Sequence, residues 1–145
     1  MAYKLKRTGA QIDALLDIVA NGVSTTTSSN IILYNGTEIS YRLNPNEIAV
    51  VMQPISDLVI TGFNVPEYDE NKELEEQKEV FFAEYTICFK LEGGTTIALP
   101  EGVLWANGVI PEIADNTEYE LSVTYRGINP DNGYFKAVLT PFKSV

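Results

Sequence analysis

In the main apolar runs after Ile31 the residues keep a period of two, and that period leaves few folds open. In "FFAEYTICFKL" the residues Phe81, Ala83, Tyr85, Ile87, Phe89 and Leu91 share one phase, while Glu84 and Lys90 fall on the other. "EYELSVTY" puts Tyr119, Leu121, Val123 and Tyr125 in phase, and "YFKAVLTPF" does the same for Phe135, Ala137 and Leu139. Ile39, Tyr41 and Leu43 alternate with Glu38, Ser40 and Arg42. Neighbouring side chains of a strand point to opposite faces, so such alternation marks strands with one buried and one wet face. Turn signals separate the runs: "NPN" at 44–46, "PISD" at 54–57, Gly93-Gly94, and "GINPDNG" at 127–133. Asn35-Gly36, between "IILY" and "TEISYRL", predicts a two-residue hairpin. Short strands with turns between them predict an antiparallel β-sandwich or jelly-roll-like domain over 31–145.

Residues 1–30 follow another rule. In "KRTGAQIDALLDIVANGV", Thr8 and Gln11 fit a capping box, and Ile12, Leu15, Leu16, Val19 and Val23 recur at helical spacing. Asn21-Gly22 supplies a stop, and "STTTSSN" at 24–30 reads as a polar tether. A short N-terminal α-helix of about three turns is too short to be stable alone in water, so its stripe must pack on something. The tether favours another chain over the domain's own surface. A homo-oligomer follows, trimeric by preference and dimeric as the alternative, or docking on another protein.

Composition narrows the chemistry. The formal charge is −10, from 20 acidic and 10 basic residues, which disfavours nucleic acid and anionic lipid as partners. No apolar run reaches membrane-spanning length, and the basic start lacks the apolar core of a signal peptide. Cys88, the one cysteine, reads as a buried inert thiol in "YTICF". With no histidine, the usual general base, nucleophile pairs and zinc sets are missing. Carboxylate-only glycoside hydrolysis would remain, but Glu38, Glu84, Glu118 and Glu120 all fall on the outward phase. The chain therefore reads as a non-enzyme without cofactor or metal. Residues 66–79, with seven acidic side chains and two lysines, read as a solvated loop or short exposed helix. Calcium spacing fails there, since Leu74 stands where the loop glycine is needed.

Two stretches carry a resemblance. "TGAQIDALLD" resembles an N-terminal helical motif of tailed-bacteriophage structural proteins. "TTIALPEGVLWANGVIPEIADNTEYELSV" is similar to a module of phage tail, baseplate and fibre proteins. Its pattern is carried here by Leu99-Pro100, Trp105-Ala106-Asn107-Gly108, Pro111 and Tyr119-Glu120-Leu121-Ser122. The resemblance implies a virion structural protein, made in a bacterial cytoplasm, that docks on other virion proteins as a head or tail fibre or decoration subunit. The alternative it leaves is an adhesion module for a host-surface glycan. Trp105, beside Val103 and Leu104, reads as core, with sugar stacking as its other reading. Tyr34, Tyr68 and Tyr134, at turns or loops, are the candidate ligand contacts.

Overall fold

The computed structural model describes residues 30–129 and 132–143. They form a mainly β arrangement of eight strands: β1 (Ile31–Tyr34), β2 (Ser40–Leu43), β3 (Ile48–Val51), β4 (Ile55–Phe63), β5 (Phe82–Ala98), β6 (Leu104–Trp105), β7 (Thr117–Asn129) and β8 (Asn132–Phe142). Backbone contacts divide the chain between Ile31 and Ile32. The expected helix, with Ile12, Leu15, Leu16, Val19 and Val23, lies outside the described residues.

β5 is the spine. Its alternation is realised as read: Ala83, Tyr85, Ile87, Phe89 and Leu91 are buried, while Phe82, Glu84, Thr86, Cys88 and Lys90 are exposed or half-buried. β7 runs antiparallel along one edge of β5, from Phe82 opposite Arg126 to Leu91 opposite Thr117. β8 continues antiparallel on β7, and the two-residue β6 closes that side. Paired residues share a face, so Tyr119, Leu121, Val123 and Tyr125 of β7 and Ala137 of β8 join the β5 set in one core. Burying each large apolar side chain there stabilises by about 1.5–3 kcal/mol.

The other edge of β5 departs from the expected antiparallel order. β3 and β4 lie along it in succession, both parallel to β5, with Ile48–Val50 opposite Thr86–Cys88 and Asp57–Val59 opposite Thr96–Ala98. β2 is parallel to β4, and β6 to β8. The sheet is thus mixed. The Asn35-Gly36 hairpin does not form either, because β1 pairs with β3 and β2 with β4. The amide of Met52 donates to the carbonyl of Tyr34 (2.9 Å), and that of Val59 to Ile39 (2.7 Å). A primed hairpin turn needs positive φ, and the positive-φ glycines among the described residues are Gly93, Gly102 and Gly108. Here the distant pairing buries Tyr41 and Leu43, which outweighs a permissive local turn.

Gly93-Gly94 forms a bulge where the sequence suggests a chain reversal. Two steps along β4, from Ile55 to Asp57, face five along β5, from Leu91 to Thr96. Gly93 takes φ +88°, and a Cβ on Gly94 would fall on the Ser56 carbonyl oxygen. β4 then carries its C-terminal end over the core. Phe63 stacks on Phe135 with ring centroids 4.6 Å apart and meets Tyr85 edge-on at 5.1 Å. The Tyr85 hydroxyl, pushed up to about 12 by burial and then by Tyr125, donates to the Asn64 carbonyl at 2.7 Å.

The acidic run is an ordered element, not a plain solvated loop. Leu74–Val80 forms a 3₁₀ segment opened by a reciprocal Glu73–Glu76 capping box. Gln77 is buried at 6% exposure, and its amide binds the 69–72 backbone from inside. Asp69 N–H donates to Oε1 (2.8 Å), while Nε2 donates to the carbonyls of Asp69 (2.8 Å) and Lys72 (3.1 Å). A polar run conceals such an anchor because one Gln among acids carries no periodicity.

Candidate interaction surface

The inward phase of the long strands is consumed by the core, so any surface the sheet offers lies on the outward phase. Across β5, β7 and β8 the registers set out five rows: Phe82, Arg126, Tyr134; Glu84, Thr124, Lys136; Thr86, Ser122, Val138; Cys88, Glu120, Thr140; and Lys90, Glu118, Phe142. Ile48 and Val50 extend the third and fourth rows onto β3, and Leu104 extends the second onto β6. Large apolar side chains stand open on it: Phe82 is 48% exposed, Val138 49%, Phe142 52% and Leu104 53%. Single exposed apolar residues are ordinary, and several on one sheet face make it the candidate contact surface.

Cys88 belongs to this face and not to the core, which corrects the sequence reading. Its thiol lies 3.6 Å from a Glu120 carboxylate oxygen. Burial, then the negative charge and hydrogen bond of Glu120, push it up to about 11, so at neutral pH it is a protonated, weakly nucleophilic thiol. Glu84, Glu118 and Glu120 share the face as solvent-accessible carboxylates.

Trp105 sits at the margin. It pairs with the fully buried Ala137, which puts its ring on the inner phase, where it packs against the core. Beside it a groove of about 440 Å³ is lined by Leu104, Asn107, Thr124, Lys136 and Val138. Asn107 (φ 60°) and Gly108 (φ +67°) make a sharp bend, a conformation that an Asn-Gly pair suits.

The three candidate tyrosines do not converge. Tyr34 is half-buried with its ring edge-on to Tyr41 at 5.0 Å, and Tyr68 meets Phe81 at 6.1 Å. Tyr134 alone lies on the outer face, in register with Arg126. Sequence reading passes over Phe82, Val138 and Phe142; the available signal is a large apolar side chain on the wet phase of a strand. Among the described residues no three His, Cys, Asp or Glu side chains gather as a metal set, and no helix is long and apolar enough to cross a membrane. Comparison of the chain with protein-family models, with curated proteins and with solved structures finds no match.

Proposed function

We propose that this chain is a non-enzymatic structural subunit of a tailed-bacteriophage virion, a head or tail fibre or decoration protein. Its N-terminal stripe joins it to other copies or to other virion proteins, and its β domain projects outward. What carries the reading is the run from Leu99 to Ser122. Leu99-Pro100 follows the end of β5, Trp105–Gly108 forms the bend, and Tyr119–Ser122 lies within β7. Leu99, Trp105, Tyr119 and Leu121 lie in or against the core and Asn107-Gly108 turn the chain, as expected of an architectural module. The domain is read as sandwich-like, with β2 and the end of β4 as the layer opposite β5, β7 and β8; the Phe63–Phe135 stack supports this.

Gold-labelled antibody against the protein, applied to purified particles of the encoding phage, tests the proposal. Regular decoration at a head or tail position is expected. Protein abundant in infected cells but absent from particles would overturn it. The glycan-adhesion reading draws on the groove beside Trp105, where Asn107, Thr124 and Lys136 could meet sugar hydroxyls. Glycan-array binding abolished by Lys136→Ala would favour it.

A further inference from the structure

We propose that the outer face of β3, β5, β7 and β8 seats a second copy of this chain. The copies pack face to face about a two-fold axis that crosses the strands at the level of Ser122.

Charge makes the first argument. The chain carries −10, so copies repel one another over most approaches. On this face Glu84, Glu118 and Glu120 are matched by Lys90, Arg126 and Lys136. Among them stand Phe82, Val138 and Phe142, each about half exposed. Glu92, exposed next along β5 and ion-paired to Lys90 at 3.7 Å, adds one acid at the margin. This partly apolar face therefore stays close to neutral on an acidic chain and is where a like molecule can approach.

Symmetry makes the second. A two-fold axis across the strands keeps each strand opposite itself and reverses its direction. Each residue then meets the one equally far beyond the Ser122 row. Arg126 meets Glu118, Phe82 meets Lys90, and Tyr134 meets Phe142, while Val138, Ser122 and Thr86 meet their own copies. Glu84 falls opposite the neutral Cys88 thiol, Glu120 opposite Thr124, and Lys136 opposite Thr140. No like charges face one another. An axis along β7 would instead set Glu118 on Glu118, Glu120 on Glu120 and Arg126 on Arg126. The side-chain order therefore favours the axis across the strands over one along β7. Aligned sheets cross at about 30°, which moves the outermost rows sideways by roughly one strand, a span that Arg and Lys side chains reach.

The size is sufficient. Five rows extend roughly 27 Å along the strands, and four strands roughly 20 Å across. The flat footprint is on the order of 500 Å² per copy, near the lower bound for a specific interface. A reversible dimer follows, separate from any association through the N-terminal stripe.

Sedimentation of the full-length protein over a concentration series provides the test. Arg126→Glu and Glu118→Arg should each weaken association by at least about tenfold, and the double exchange should restore it to near the original strength. Both positions are solvent-facing, and circular dichroism confirms that the variants fold. A Ser122→Cys variant on a Cys88→Ser background should form dimers with a short bismaleimide. The same series with Leu16→Glu and Val19→Glu present separates the two interfaces, because loss of stripe contacts leaves the charge-exchange pattern intact. The proposal is overturned if Glu118→Gln strengthens association, as the axis along β7, which sets Glu118 on Glu118, would require, or if the double exchange fails to restore it. It is also overturned if that stripe-disrupted protein stays monomeric up to several hundred micromolar.

Discussion

Gln77→Ala isolates the device that holds the acidic segment. Gln77 is 6% exposed and makes three hydrogen bonds to backbone groups of Asp69 and Lys72. Each is worth about 1 kcal/mol net, so truncation removes about 2–3 kcal/mol, a large share of a typical domain's stability. Gln77→Glu sharpens the test. The carboxylate still accepts the Asp69 N–H but faces two carbonyl oxygens it cannot serve, so at neutral pH it should cost at least as much as alanine. Those oxygens raise the folded-state pKa of the introduced carboxyl group above its unfolded value. The folded state then binds the extra proton, and part of the loss should be regained as pH falls through that raised pKa. Urea unfolding followed by Trp105 fluorescence reads the global loss, and limited proteolysis within 66–76 reads a local one. If alanine leaves both the midpoint and the cleavage rate unchanged, within about 0.5 kcal/mol, the anchoring argument is wrong.

Further outcomes are expected. Cys88 should alkylate slowly at pH 8 and accelerate only as pH approaches about 11; Glu120→Gln should shift that profile to lower pH, though burial keeps it above that of a free thiol. Rapid modification at pH 8 would contradict the burial argument. Gly94→Ala, which sets a Cβ on the Ser56 carbonyl, should destabilise by about 1–3 kcal/mol, while Gly36→Ala, with open space around it, should stay within about 0.5 kcal/mol. Thermal unfolding of the pair checks the contrast. Replacing Leu16 and Val19 by Glu should yield folded protein that no longer enters the particle; unfolding, or unchanged incorporation, would assign the stripe to the domain's own core.

The alternation in 82–91, 119–125 and 135–139 makes the central strands and their buried faces legible, because a half-buried strand must repeat every two residues. Pairing is not legible. Asn35-Gly36 permits a hairpin, but Tyr41 and Leu43 gain more from β4 than β2 would from β1. Parallel neighbours leave no turn signal to read, so the places of β3 and β4 beside β5 do not follow from local residues. The apolar neighbours of Cys88 suggest an inward thiol, although its own phase, shared with Glu84 and Lys90, gives the opposite answer. The outer face escapes for the same reason: Phe82, Val138 and Phe142 pass as strand formers unless their place on a wet phase is weighed.

The placement of β3 and β4 along β5 also orders the events of folding. On a growing chain, residues 48–63 emerge before 82–98, so for some thirty residues of synthesis their β5-facing backbone edge has no native partner. β2 and β4 can meet early, but they remain a two-stranded ribbon, which is marginal in water. Only when β5 appears can Phe89 and Leu91 close over Ala49 and Ile55, and only with β8 does Phe63 find Phe135. Folding must therefore wait for the C-terminal third and then close contacts distant in sequence, which sets refolding in the slow millisecond-to-second regime of non-local β topologies. Until then the early strands are an open edge, and the dense negative charge of residues 66–79, emerging next behind them, would set partly made chains against one another by like-charge repulsion.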